Sequence, residues 1–174
     1  MAALYRARCL ALLIISIVGS TASTLAGEVQ AEIEIVDWGL TSAKEVGSEA
    51  SPDTPTGLNR LVEGPVNVIR TTKIQACIGT SFGILYRIAG MEHLNVLPIT
   101  VVVLHPLIRT PDGRSMQKSS WPDSAAPQQR YAGWVFEENF ELVSGPWTIS
   151  LRDKSGEELI SKNFDVIAGN CPIS

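Results

Sequence analysis

Two histidines, His93 and His105, and several clustered carboxylates are the groups with which this chain could do acid–base chemistry. A serine nucleophile needs a base and an orienting acid, and no Gly-x-Ser-x-Gly elbow occurs. His105 follows an apolar run and precedes Pro106, a place for a packed, hydrogen-bonded imidazole. His93 sits in a turn beside Glu92, where an imidazole is solvated. Zinc takes three or four His, Cys or carboxylate ligands, and calcium takes several oxygens from one loop; neither set is visible. Glu137, Glu138 and Glu141 precede the last hairpin, and Glu157 and Glu158 open its second strand. Two carboxyls about 5–10 Å apart across a cleft could hydrolyse a glycoside. Acidic clusters at sheet ends are more often solvated edges, so a small hydrolase using residues 137–141 stands as an alternative reading. No catalytic, cofactor-binding or metal-binding constellation is expected.

The first residues are set aside before the rest is counted. Tyr5–Arg8 is basic, Leu10–Val18 is apolar, and small residues lead to Thr24-Leu25-Ala26. That order predicts a secretory signal peptide over residues 1–26, cut after Ala26 or at the competing Ala22. The apolar run is too short for the roughly 20 residues that span a bilayer, so no stable membrane insertion is expected after cleavage. Removal takes Arg6 and Arg8 and no acid, moving the formal charge from −4 to −6. No basic face for nucleic acid is left. Cys9 is lost as well. Cys77 and Cys171 then remain in an oxidising compartment, periplasmic or extracellular, where two cysteines allow one intramolecular bridge. Their wide separation argues for a structural bridge and against a Cys-x-x-Cys redox pair.

The elements that would position any site are strands. Of 174 residues, 45% are hydrophobic, enough for one domain with a core, placed at 27–174. Residues 29–35 alternate apolar with charged, and the parity flips at Val36-Asp37-Trp38, the mark of a bulge or of a strand changing sheets. Residues 41–64 are polar and rich in Ser, Thr, Gly and Pro, which predicts a mobile loop. Val66–Ala76 resumes as strand, and Cys77–Ser81 is a turn. Phe82, Ile84, Tyr86 and Ile88 then share one face, with Gly83 on the other where a backbone or ring can come close. Leu97–Leu104 is nearly continuously apolar, as in a strand covered on both faces. Residues 107–129 read as a long loop carrying Trp121 and Pro122, the candidate partner contact. Tyr131–Phe136 is strand. A Gly145-Pro146 turn then opens a closing hairpin whose Trp147, Ile149 and Leu151 alternate, followed by Ile160, Phe164 and Val166. Phe82, Tyr86, Trp134, Trp147 and Phe164 are the predicted core, and Trp38 is placed there too.

Seven strands, no helix and polar loops predict an all-β fold: a single antiparallel β-sandwich of immunoglobulin or fibronectin type III size, with a closed barrel as the alternative. Four segments, Ile33–Leu40, Phe82–Gly90, Leu104-His105-Pro106 and Glu141–Trp147 with Phe164-Asp165-Val166, resemble in order and spacing a family of exported bacterial proteins known as a domain of unknown function. The resemblance implies bacterial export and an immunoglobulin-like β-sandwich. It implies no activity, cofactor or catalytic residue, and the cysteine bridge is no part of it.

The function expected is therefore non-catalytic: binding of a protein or other cell-envelope component through loops or a sheet edge. A periplasmic chaperone or assembly factor working by strand addition is the second reading.

Overall fold

The computed structural model describes residues 32–89, 96–169 and 171. The predicted signal peptide, the first residues of the opening strand and the turn at 90–95 with His93 lie outside the described residues. Nine strands are present among those described, two more than the sequence pattern indicates: β1 (Glu32–Ala50), β2 (Leu58–Ile69), β3 (Lys73–Ala76), β4 (Ser81–Ala89), β5 (Leu97–Arg109), β6 (Ser115–Ala125), β7 (Arg130–Val135), β8 (Gly145–Arg152) and β9 (Glu158–Ala168). They form two separate sheets, ordered β2-β1-β4-β7 and β3-β9-β8-β5-β6, which rules out a closed barrel.

Alternation explains the facing layers. Phe82, Ile84, Tyr86 and Ile88 of β4 and Ala132 and Trp134 of β7 are buried against Val101 and Val103 of β5, Trp147, Ile149 and Leu151 of β8, and Phe164 and Val166 of β9. Trp147 is the hub. Its ring meets Phe82, Phe136 and Trp134 edge-on at centroid distances of 5.8, 5.6 and 5.3 Å. Such geometry sets the positive ring edge against the negative ring face. Val101, Val102 and Val103 are all buried, as a strand covered on both faces requires.

The parity flip in β1 is a register shift between Ile35 and Asp37 in its pairing with β4, so a bulge and not a change of sheet accounts for it. Trp38 ends half-buried at the rim, with the Lys162 ammonium 3.8 Å and the Arg70 guanidinium 5.0 Å from its ring. Gly145 and Pro146 belong to β8, paired with Val166 and Asp165, and the turn before them is a single 3₁₀ turn at Asn139–Glu141.

The two presumed loops are strands. Residues 107–129 hold the end of β5 and all of β6, paired with β5 from Leu97↔Ala125 to Arg109↔Ser115. Residues 41–64 are the far half of the β1–β2 hairpin, paired from Leu40↔Ile69 to Ala50↔Leu58 with two register shifts. β1 pairs with β4 only as far as Leu40↔Phe82. Past that point the hairpin leaves the sheet as an arm.

Cys77 and Cys171 are joined, with Cα atoms 5.6 Å apart. The bridge fastens the chain after β9 to the turn between β3 and β4. Beside it β3 pairs with β9 in parallel, the one parallel ladder among the described residues.

Candidate functional site

The arm does not hang free. Its tip is closed by the Ser51 N–H on the Gly57 carbonyl at 2.8 Å and by the Thr54 hydroxyl on the carbonyls of Ser51 and Leu58 at 2.8 and 3.0 Å. The Arg114 guanidinium, at the start of β6, donates to three tip carbonyls: Pro52 at 3.2 Å, Thr54 at 3.1 Å and Pro55 at 3.0 Å. The Ser120 N–H adds a bond to the Asp53 carbonyl at 3.2 Å. Asp112 holds Arg114 in place through Nε at 2.8 Å, and it accepts from the Thr110 hydroxyl. These donors, that hydroxyl first, draw the Asp112 carboxyl down to a pKa of about 2. The arm is thus rooted beside β4 and clamped on β6, with β7 between.

The root has its own fastening. On the outer face of the first sheet the Tyr131 ring lies across Gly133 and Gly83. A Cβ built on Gly133 would sit 1.9 Å from the Tyr131 hydroxyl, and one on Gly83 2.7 Å from its ring. At Gly133 the ring occupies the place of a side chain, and at Gly83 the Ala132 carbonyl, 2.4 Å from such a Cβ, crowds it together with the ring. The Tyr131 hydroxyl then meets Thr41 Oγ1 at 2.9 Å and Ser81 Oγ at 3.2 Å, with Thr41 and Ser81 2.8 Å apart. Burial raises the tyrosine pKa, so the ring stays neutral and can donate.

Two cavities, of about 370 and 610 Å³, adjoin beneath the arm. Both are lined by Asn59, Arg60 and Val62 of the arm, by Trp121 of β6 and by Tyr131 and Gly133 of β7. The volumes lie within the range of small-ligand and peptide sites, roughly 300–1,000 Å³. Arg60 bridges the space, pairing with Glu45 of the arm at 2.6 Å and with Glu137 beyond the end of β7. Two N–H groups of these walls, Arg60 Nε and Trp134 Nε1, are sealed from solvent and have no hydrogen-bond partner among the described residues.

Trp121, read from the sequence as part of a long loop, is buried in β6, and Pro122 beside it is exposed. Trp121 reaches the site as a wall. Glu141 is buried, and its Oε2 accepts the N–H groups of Glu137 and Glu138 at 2.8 and 2.9 Å, capping the 3₁₀ turn. Burial pushes its carboxyl pKa up, against those two bonds. Glu137 is engaged by Arg60. The acidic cluster therefore organises the turn at the cavity's end. His105 and Ser119 do form a pair, Nε2 to Oγ 3.0 Å, but Ser119 is fully buried. Nδ1 faces the Pro106 carbonyl at 2.9 Å, which can only accept, so Nδ1 carries the proton and Nε2 accepts from Ser119. No group of three or more His, Cys, Asp or Glu side chains is placed to hold a metal among the described residues.

The sequence pattern missed Arg60, Arg114, Thr41, Thr54 and Tyr131. The local signals are Gly83 and Gly133, which point to close packing without naming Tyr131 as the partner.

A family model for a domain of unknown function, DUF3859, matches residues 29–166. The chain belongs to this family. Among solved structures, the DUF3859 chain is similar to an immunoglobulin-like protein from Pseudomonas aeruginosa, with a TM-score of 0.56, 25% sequence identity, and coverage of 80% of this chain and 99% of that one. The two-sheet architecture is accordingly immunoglobulin-like. None of the curated proteins matches the DUF3859 chain. No helix among the described residues is long and apolar enough to cross a membrane.

Proposed function

We propose that this DUF3859 protein is an exported, non-catalytic binding domain that holds a protein partner of the cell envelope beneath the β1–β2 arm. One observation carries the reading: a hairpin half leaves its sheet, crosses β7 and is clamped at its tip by Arg114, with two adjoining cavities below it. A hairpin with no face in the core adds little hydrophobic stability. Fixing it at both ends makes sense where the space beneath is used. The Cys77–Cys171 bridge supports an oxidising compartment, as the signal-like N-terminus does.

The test is site-specific photo-crosslinking in the native host. A photoreactive residue at Leu58 or Val62, both lining the space under the arm, should yield the same protein adduct, absent when the probe stands at Leu107 on β5. Equal labelling from all three positions, or none from Leu58 and Val62, would count against an arm-bound partner.

A further inference from the structure

We infer that β7 is built to accept a guest strand: an extended peptide of neutral or basic character, hydrogen-bonded along the free edge of β7 beneath the arm. The inference rests on the binding reading above and gives its chemistry.

The phase of β7 is set at its end. The Phe136 N–H donates to the Thr80 carbonyl at 3.0 Å, and the Phe136 carbonyl accepts from Gly79 at 2.8 Å. The register Phe82↔Trp134, Gly83↔Gly133, Ile84↔Ala132 runs without a shift. In an antiparallel pair, hydrogen-bonded and non-bonded residues alternate. Trp134 and Ala132 therefore face β4, while the N–H and C=O groups of Val135, Gly133 and Tyr131 point away from it. Among the described residues, no further backbone bond engages those three.

Such an edge is a template for another chain, and proteins usually blunt it with proline, charge, bulges or shortness. The other three edges here do. β2 carries Gly64-Pro65 and register shifts, β6 carries Lys118 and Pro122, and β3 is four residues long. β7 has Arg130 at its start, held by Asp123, and past it the segment Tyr131-Ala-Gly-Trp-Val135 carries no proline, no charge and no register shift. The arm covers this edge without pairing to it, since its strands pair only with each other past Leu40. The edge is protected from chance partners and left open to a threaded one.

Charge selects the guest. Glu45, Glu49, Asp123, Glu137 and Glu141 line the two cavities against Arg60 and Arg130 alone. Both guanidinium groups are already paired, Arg60 with Glu45 and Glu137, and Arg130 with Asp123 at 2.8 Å. An acidic segment meets repulsion here, and a Lys- or Arg-bearing one does not. Arg60 Nε and Trp134 Nε1, in the walls of this space, are buried donors with no partner among the described residues. A guest threaded beneath the arm brings carbonyl oxygens, their natural complement.

The experiment selects twelve-residue peptides from a display library on the full mature protein and follows the tightest by amide NMR. Neutral or basic peptides should be selected, with shifts and slowed exchange at Tyr131, Gly133 and Val135. N-methylation should then weaken binding by about tenfold at every second residue of the peptide and spare the ones between. Each lost hydrogen bond to a paired edge falls on one parity only. A peptide that binds with no such alternation, or whose shifts map away from β7, overturns strand addition while the arm-bound partner survives. Selection of acidic peptides, or of none, also overturns it, as does a second copy of the chain paired through β7 in a sedimenting dimer. Failure of the Leu58 and Val62 cross-links instead removes the binding reading itself.

Discussion

His105 shows how one polar side chain is carried into an aromatic core. Its ring lies 5.1 Å from Trp147 and 5.7 Å from Trp134, and both nitrogens are satisfied by Ser119 and Pro106. Protonation would add a charge the core cannot solvate and would set Nε2–H against a hydroxyl now donating to it. Burial accordingly lowers its pKa below the usual 6.5. The linkage sign follows. The unfolded chain takes up this proton before the folded one does, so the stability His105 contributes is present above about 6.5 and is lost as pH falls toward the folded value. Thermal unfolding between pH 7 and 5 should therefore show a declining midpoint that flattens in His105→Gln. His93 is common to both chains and cancels in the difference. Glu141 bends the profile the other way, since its raised pKa favours the protonated folded form at lower pH. A wild-type profile parallel to that of the variant would mean His105 titrates as if solvated.

At the scale of elements, the arm depends on a clamp that is almost wholly side chain to backbone. Arg114 satisfies three carbonyls of a turn that holds two prolines and so lacks two backbone donors of its own. Hydrogen bonds to a charged donor stabilise by about 1.5–3 kcal/mol when well shielded, but this guanidinium is 40% exposed and the value falls accordingly. Arg114→Ala should raise amide exchange across 43–61 by an order of magnitude or so while β4, β8 and β9 keep their protection. Uniform protection in the variant would place the arm's stability in the Tyr131–Thr41–Ser81 cluster. The arm was unreadable as strand for a physical reason. Both of its faces are largely exposed, so its residues show no apolar alternation, and cross-strand backbone bonds supply the order.

For the whole molecule, the Cys77–Cys171 bridge closes a separation of 94 residues that contains six of the nine described strands, β4 to β9. In the chain-entropy account a loop of this length stabilises the fold by about 4–5 kcal/mol, less any strain. Replacing both cysteines by alanine should lower the denaturant midpoint and steepen the slope with denaturant, since the unfolded chain freed of the cross-link is more expanded and exposes more surface. Equilibrium denaturation of the oxidised protein and the double variant decides this, and coincident curves would remove the bridge from the stability of the fold.

How much was legible in the amino-acid order divides along the range of the interaction. Alternation of large residues placed β4, β8 and, more loosely, β9 with their buried faces, because period 2 is a property of one strand facing one core. The parity flip near Asp37 located the bulge, and Gly83 marked a close approach that Tyr131 makes. Setting Cys9 aside with the predicted leader left one pairing for the remaining cysteines, the one the structure contains. Other features needed the assembled sheets. β6 reads as a polar loop until its pairing with β5 turns Trp121 inward, and Pro122 is tolerated there because β6 is an edge. The free edge of β7 exists because β4 is its sole neighbour among the described residues. The chamber beneath the arm is made by Arg114 reaching residues 52–55, a contact between segments about 60 residues apart. Local order is written in side-chain type and spacing; an edge and the space beside it are set by which strands are missing from a neighbourhood, and no single segment records that.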